Sequence, residues 1–160
     1  MFFLKSTRAA RRGFSLIELL IVIAIILILI TIVGGKMYTA LRYAKETAAL
    51  ASIRTIHTEQ VQYSSQYNRF ANSLTELGPP ASGTPSAAAA DLIGSDLAAG
   101  EKNGYKFTMT ANAGGYQIVA VPVTFGVTGS RTFYSDQTMV VRENDGPEPA
   151  TANSKEIGSK

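Results

Sequence analysis

Few side chains of this sequence belong to the types that carry chemistry, and they do not group into a catalytic motif. There is no cysteine, which excludes disulfides and thiolate metal sites, and there is a single histidine, His57. We expect His57 to lie on a helix surface rather than to bind a metal. Asp136 and Asp145 could join a calcium loop, but their spacing favours two turn aspartates. No G-x-S-x-G, H-E-x-x-H or phosphate-binding loop occurs. We therefore predict a protein that is not an enzyme and has no cofactor or metal.

The chemically unusual residue is Glu18, which lies five residues into a long apolar run. Residues 14–33 read FSLIELLIVIAIILILITIV, and only Ser15, Glu18 and Thr31 among them are polar. A helix of about 20 residues spans roughly 30 Å, the hydrocarbon thickness of a bilayer. A charge inside that layer costs about 2.5–3.5 kcal/mol. Glu18 therefore either lies near the interface at small cost or has a dedicated partner, and its position leaves both open.

The basic residues of the chain are concentrated before this run. The net charge is +3, but the first 13 residues hold four basic side chains and no acid; without them 11 basic residues face 12 acidic ones, a net of −1. A basic segment before an apolar run keeps that end cytoplasmic. A nucleic-acid-binding protein would instead place its basic residues on a folded face. We predict no specific nucleic-acid partner.

Two kinds of export signal fit this segment poorly. A secretory signal has an apolar region of about 7–15 residues that ends at small residues, and no such site closes this run. Arg11, Arg12, Gly13 and Phe14 look like the core of a twin-arginine signal, but such signals are weakly hydrophobic and are cleaved later.

Residues 11–20, RRGFSLIELL, resemble the class III signal of type IV prepilins and type II secretion pseudopilins. In that family a short basic leader ends in glycine, phenylalanine usually follows, and glutamate is the fifth residue after the cut. Gly13, Phe14 and Glu18 occupy these positions. The resemblance covers about the first 35 residues.

The resemblance implies a mechanism. Residues 1–13 are a leader that prepilin peptidase removes by cutting between Gly13 and Phe14, and the new Phe14 amine is N-methylated. Residues 14–35 are then both the transmembrane helix and the polymerisation element. Subunits leave the membrane through an assembly platform with its ATPase and form a helical homopolymer. Glu18 would pair with the Phe14 amine of a neighbouring subunit, which gives the carboxylate its partner.

One position departs from the family pattern. Many members have proline about 22 residues into the mature chain, where the stem helix weakens, and this sequence has Gly34 and Gly35 there. Each glycine disfavours helix by roughly 1 kcal/mol relative to alanine. We expect the pair to weaken one long stem helix; the alternative is a helix end at the membrane surface followed by a new helix.

The remaining chain predicts an α+β fold of the pilin type. Residues 36–63 lack proline and glycine and form an amphipathic helix with two apolar sides, one of which can cover a sheet. Four short segments have strand character: 105–110, 116–125, 131–134 and 138–142. We expect a long N-terminal helix, membrane-spanning in its first half, packed against an antiparallel sheet of three or four strands.

The predicted domains follow from these elements. Residues 36–143 form the globular domain, which includes the second half of the stem helix. Residues 144–160 contain glycine, proline, serine and alternating charges and are predicted to be a loose tail.

The functional prediction is a structural subunit of a type IV pilus. It is single-pass in the bacterial inner membrane with its head outside the cytoplasm, and later part of a filament at the cell surface. One alternative is a type II secretion pseudopilin, in a periplasmic pseudopilus. Another is a signal-anchored binding protein that never polymerises. The sequence leaves adhesion, motility, DNA uptake and secretion open, as well as a major or minor role in the filament.

Overall fold

The structure, a computed structural model, describes residues 13–112 and 114–159, without the side chains of residues 32–36 and 112. The predicted leader therefore lies outside the described residues, apart from Gly13. The chain divides into two compact units, Met1–Met37 and Tyr38–Lys160. We call the second one the sheet unit. The predicted α+β class, with a long N-terminal helix and an antiparallel sheet, is confirmed.

Helix α1 spans Leu16–Tyr67. Its sequence contains no proline, and its two glycines are adjacent, so little within it opposes helix formation. It ends where Asn68 adopts a left-handed conformation, with φ of 55°, and donates its N–H to the Ser64 carbonyl oxygen at 2.9 Å. Asparagine tolerates this conformation and is a common helix terminator. Over the part of the chain described with its side chains, no helix is both long and apolar enough to cross a membrane.

Two one-turn helices connect α1 to the sheet. They are α2, Leu74–Leu77, and α3, Ser95–Ala98. The segment between α1 and α2 is held by the buried Gln60 of α1, whose amide accepts from the Ala71 N–H at 2.9 Å and donates to the Ala71 carbonyl oxygen at 3.0 Å. Leu77 and Leu97 bury their side chains in the core of the unit.

The sheet is an antiparallel meander in which each strand pairs with the next one along the chain. In the described residues its strands are β1 (Glu101–Lys102), β2 (Tyr105–Asn112), β3 (Gly115–Pro122), β4 (Thr132–Asp136), β5 (Val141–Asn144) and β6 (Lys155–Glu156). The sheet thus has six strands, so the prediction of three or four was wrong. The added ones are the two-residue strands β1 and β6, which are too short to show an alternating pattern.

The C-terminal segment belongs to this sheet. Strand β6 pairs with β5, the Ile157 N–H donates to the Val141 carbonyl oxygen at 3.0 Å, and Ala150 is buried. Residues 144–159 therefore contribute structure where a loose tail was predicted for 144–160. Their composition is polar, and what fixes them is pairing with β5 together with the burial of Ala150.

The core lies between the sheet and one face of α1. Phe107, Ala120 and Phe133 stand opposite one another on β2, β3 and β4 and are all buried, so the small alanine side chain separates two large ones. From α1, Ile53 and Ile56 enter this core and are fully buried. Full burial of one such side chain contributes about 1.5–3 kcal/mol. This apolar face holds the second half of α1 against the sheet.

Candidate functional site

The predicted cleavage junction lies just before α1 and is open. Gly13, Phe14 and Ser15 are outside regular structure, and the Phe14 side chain is 82% exposed. A Cβ atom placed on Gly13 would meet nothing within 4 Å among the described residues. Packing therefore does not require glycine at this position. Since proteases bind an extended backbone, the junction can be reached without unwinding the helix. The basic residues of the leader, Lys5, Arg8, Arg11 and Arg12, lie outside the described residues.

The first turn of α1 forms half of a capping box. The Ser15 carbonyl oxygen accepts from the N–H groups of Glu18 at 3.1 Å and Leu19 at 3.2 Å. The Glu18 carboxylate in turn accepts from the Ser15 N–H in a long contact of 3.5 Å. This is the glutamate half of the S-x-x-E pattern. A carboxylate in the first helical turn also interacts favourably with the helix dipole. Glu18 thus has a role within its own helix that our sequence analysis missed, although Ser15 three residues before it was a visible signal.

The apolar half of α1 exposes its side chains in every direction. All residues from 16 to 31 are exposed, including Leu16, Ile23 and Ile30. Apolar residues occupy each side of the helix, so these residues have no polar face to present to water. A helix that is apolar all round is normally buried, either in the core of a large protein or in a membrane.

Gly34 and Gly35 lie within α1. Their backbone is helical, and no helix end occurs at this point. That they weaken the helix stays a prediction.

A buried ionic cluster joins α1 to the end of the loop that precedes β4. Glu46 is 3% exposed, and its Oε1 accepts from the N–H and hydroxyl of Ser130 at 2.7 and 2.8 Å. Its Oε2 accepts from Nε and Nη2 of Arg131 at 3.0 and 2.8 Å. Burial raises the pKa of Glu46, but the hydrogen bonds from Ser130 and Arg131 outweigh it and lower this pKa overall. Nη1 of Arg131 also bonds Glu143 at 2.7 Å.

His57 is buried, so the prediction of a surface histidine was wrong. Its side chain lies between Tyr116 and Ser135: Nδ1 is 2.6 Å from the Tyr116 hydroxyl, and Nε2 is 2.7 Å from the Ser135 hydroxyl. The Ser135 hydroxyl donates to the Val140 carbonyl oxygen at 2.9 Å, so it accepts from the Nε2–H of the imidazole. In the neutral ring, Nδ1 then accepts from the Tyr116 hydroxyl. Burial lowers the pKa of His57, while the charge of Asp136 acts in the opposite direction.

This cluster is buried, and His57 lines a hollow of about 400 Å³ together with Arg54, Thr58, Val61 and Met139. Ser135 is fully buried and Tyr116 is 3% exposed. The helical spacing of His57 was a signal for its burial, because it follows Ile53 by four residues and precedes Gln60 by three, and both are fully buried. The cluster ties α1 to β3 and β4.

Of the two aspartates considered for calcium binding, Asp136 has the contacts of a turn residue. Asp136 Oδ1 accepts from the N–H and hydroxyl of Thr138 at 2.9 and 2.6 Å, as turn aspartates do. Across the described residues, no group of three or more His, Asp or Glu side chains is arranged to hold a metal.

Comparison with known proteins identifies the N-terminal segment. Residues 8–34 match the prokaryotic N-terminal methylation motif. This range contains Gly13, Phe14, Glu18 and the apolar half of α1. No curated protein and no solved structure matches the chain. The chain therefore carries, at its N-terminus, the signature of type IV pilins and pseudopilins.

Proposed function

We propose that this chain is the structural subunit of a type IV pilus, made as a prepilin and polymerised through its N-terminal helix. The observation that carries the proposal is the match of residues 8–34 to the N-terminal methylation motif. That motif supports a pilin-like or pseudopilin protein with a structural role. The cleavage, the polymerisation and the partners are our inference from it.

The open junction supports processing between Gly13 and Phe14. Both residues are exposed and precede the first helical residue, so a prepilin peptidase can bind the bond in extended form. Gly13 leaves space for the enzyme. The packing of this chain does not itself require glycine at that position. Cleavage creates an amine on Phe14, and methylation of that amine completes the mature N-terminus.

Processing gives the first prediction. Mass spectrometry of protein extracted from native membranes should find a chain that begins with N-methylated Phe14. Gly13→Leu should leave the full-length precursor, because its side chain occupies the space that the peptidase needs. A strain without prepilin peptidase is the control and should accumulate the same precursor. A wild-type chain that still begins at Met1 in cells with active peptidase would contradict the proposal.

The exposed apolar half of α1 supports the proposed anchor and polymer. The sequence continues the apolar run to Val33, and residues 14–35 form the proposed transmembrane and polymerisation helix. In the bacterial inner membrane lipid would surround this helix, with the sheet unit outside the cytoplasm. In the filament the same side chains would pack against the helices of other copies. An assembly platform and ATPase would move the subunit from one setting to the other.

A pseudopilus subunit would share the processing but not the final location. Immunoelectron microscopy of intact cells distinguishes the two proposals. Labelled fibres outside the cell support the pilus, and filaments confined to the periplasm support a pseudopilin of type II secretion. A processed chain that forms no filament in either place would support a membrane-anchored binding protein.

A further inference from the structure

The sheet unit exposes apolar side chains around the loop between β3 and β4. At the tip of this loop Phe125 is 42% and Val127 67% exposed. Beside it, at the start of this unit, α1 exposes Tyr38 and Leu41. Together with Arg42 we call these residues the loop–helix surface. It borders a hollow of about 320 Å³ lined by Tyr38, Thr39, Arg42, Gly126 and Val127.

The loop that carries this surface is held in place. Gly126 donates its N–H to the Gly129 carbonyl oxygen at 2.7 Å, and Thr128 donates to the Thr124 carbonyl oxygen at 2.9 Å. At its end, Ser130 is bonded to the buried Glu46. The apolar side chains at the tip are therefore presented by a fixed backbone. Exposure of apolar groups on an ordered loop indicates a partner.

The charge of the loop–helix surface indicates the chemical class of its partner. Residues 123–130 carry no charge, and residues 38–45 of α1 contain Arg42 and Lys45 but no acid. Arg42 makes one long hydrogen bond, from Nη1 to the Gly126 carbonyl oxygen at 3.4 Å, and no ion pair with the described residues. Its remaining donors can bind a phosphate. Tyrosine, apolar side chains and an arginine with donors to spare are together typical of the membrane–water interface, and basic residues there favour anionic lipid.

The position of the loop–helix surface along the chain agrees with a lipid partner. The apolar run ends at Val33, and Tyr38 follows five residues later. Five residues can span at most about 18 Å, whatever their conformation. If residues 14–33 lie in the bilayer, as the proposed function requires, Tyr38 remains within that distance of its edge.

We propose that the loop–helix surface docks the unassembled subunit on the outer face of the membrane. Phe125 and Val127 enter the headgroup region, and Arg42 binds the phosphate of an anionic lipid. This inference rests on the proposed membrane anchor. A symmetric contact with a second copy of the chain is the partner considered and not chosen, because the surface would then face itself and offers no acidic group to its own basic ones.

The absence of cysteine allows a direct test with the full chain. Val127→Cys places an environment-sensitive fluorophore on the surface. Val61→Cys is the matched control, because Val61 is also exposed and lies 19 residues beyond Arg42 on α1, about 29 Å along the helix axis. Ile25→Cys reports on the anchor. Each labelled chain is reconstituted in vesicles that contain phosphatidylglycerol and lipids with a nitroxide at the headgroup or in the middle of the acyl chain.

With the headgroup nitroxide, we expect the fluorescence at position 127 to be quenched. The fluorescence at position 61 should stay unchanged. Replacing phosphatidylglycerol by phosphatidylcholine, or introducing Arg42→Gln, should reduce that loss. Quenching at position 25 by the deep nitroxide without quenching at position 127 would overturn the docking and leave the anchor intact. No quenching at either position would overturn both. A change in fluorescence at position 127 that depends on protein concentration and not on the nitroxide would identify a second copy as the partner. That result would overturn the proposal.

Discussion

In the proposed filament, Glu18 would have two roles that require different chemical properties. At the start of its own helix it supplies an oxygen acceptor to the Ser15 N–H, which glutamine can also supply. Opposite the Phe14 amine of a neighbouring subunit, as we propose, it must supply a negative charge, which glutamine lacks. Substitution by glutamine therefore separates the two roles, whereas alanine removes both.

We predict that Glu18→Gln and Glu18→Ala both abolish or sharply reduce filaments while membrane insertion and cleavage after Gly13 continue. Loss of one member of a buried ion pair typically costs about 3–5 kcal/mol, and this cost would recur at each subunit addition. The measurement is the yield of sheared filaments beside a processing immunoblot, in a strain without other copies of the subunit. Glu59→Gln, on the same helix, is the control. Normal yield with glutamine and loss with alanine would assign assembly to the cap instead of the charge.

His57 makes the stability of the sheet unit depend on pH. Because burial holds its pKa below the usual value of 6.5, the unfolded chain binds a proton before the folded chain does. The free energy of unfolding should therefore fall as the pH decreases below about 6.5. Urea denaturation of the full chain in mild detergent, at a series of pH values, measures this dependence. His57→Gln should flatten the slope in this range, and an unchanged slope would contradict the assignment.

At the scale of elements, Glu46 joins the end of the loop before β4 to α1 through its bonds with Ser130 and Arg131. We predict that Glu46→Ala lowers the free energy of unfolding by about 3 kcal/mol, the low end for a buried pair, because Arg131 keeps Glu143 as a partner. Since the pKa of Glu46 is lowered from 4.5, its contribution is present at neutral pH and lost in acid below that value. The measurement is again urea denaturation.

An exposed pair provides the control for this variant. Glu156 is bonded to Arg142 at 2.9 Å, with half of its side chain exposed. Glu156→Ala should cost no more than about 1 kcal/mol, as exposed ion pairs do. Equal losses of unfolding free energy for the two variants would show that the burial of Glu46 does not strengthen its ion pair.

The elements that could be predicted from the sequence are those with a repeating apolar pattern. The α1 face that carries Ile53 and Ile56 and the alternation in β2 both correspond to buried surfaces. The two-residue strands β1 and β6 could not be predicted, because their position depends on the neighbouring strand. The Glu46–Arg131 pair joins residues 85 positions apart, and no local pattern indicates it. The proposed cleavage site was predicted from a motif, and only the structure shows that this junction is exposed.

At the scale of the whole molecule, the sheet unit has what an independent domain needs. Its buried core runs from Ala49 to Phe133 within Tyr38–Lys160. We predict that a chain beginning at about Ala40 folds as a soluble monomer, because removing the apolar half of α1 removes most of the polymerisation surface. Size-exclusion chromatography and circular dichroism test this prediction. Disorder, or stable oligomers at micromolar concentration, would count against a polymer driven by the stem helix.

The edges of the sheet matter once many copies are crowded together. Unpaired strand edges invite other chains to add strands, and short edges with charged side chains discourage it. Both outer strands here are two residues long, and each consists of one lysine and one glutamate: Glu101 and Lys102 in β1, Lys155 and Glu156 in β6. In the proposed filament, these short charged strands would therefore discourage the sheet edges of neighbouring heads from pairing with one another.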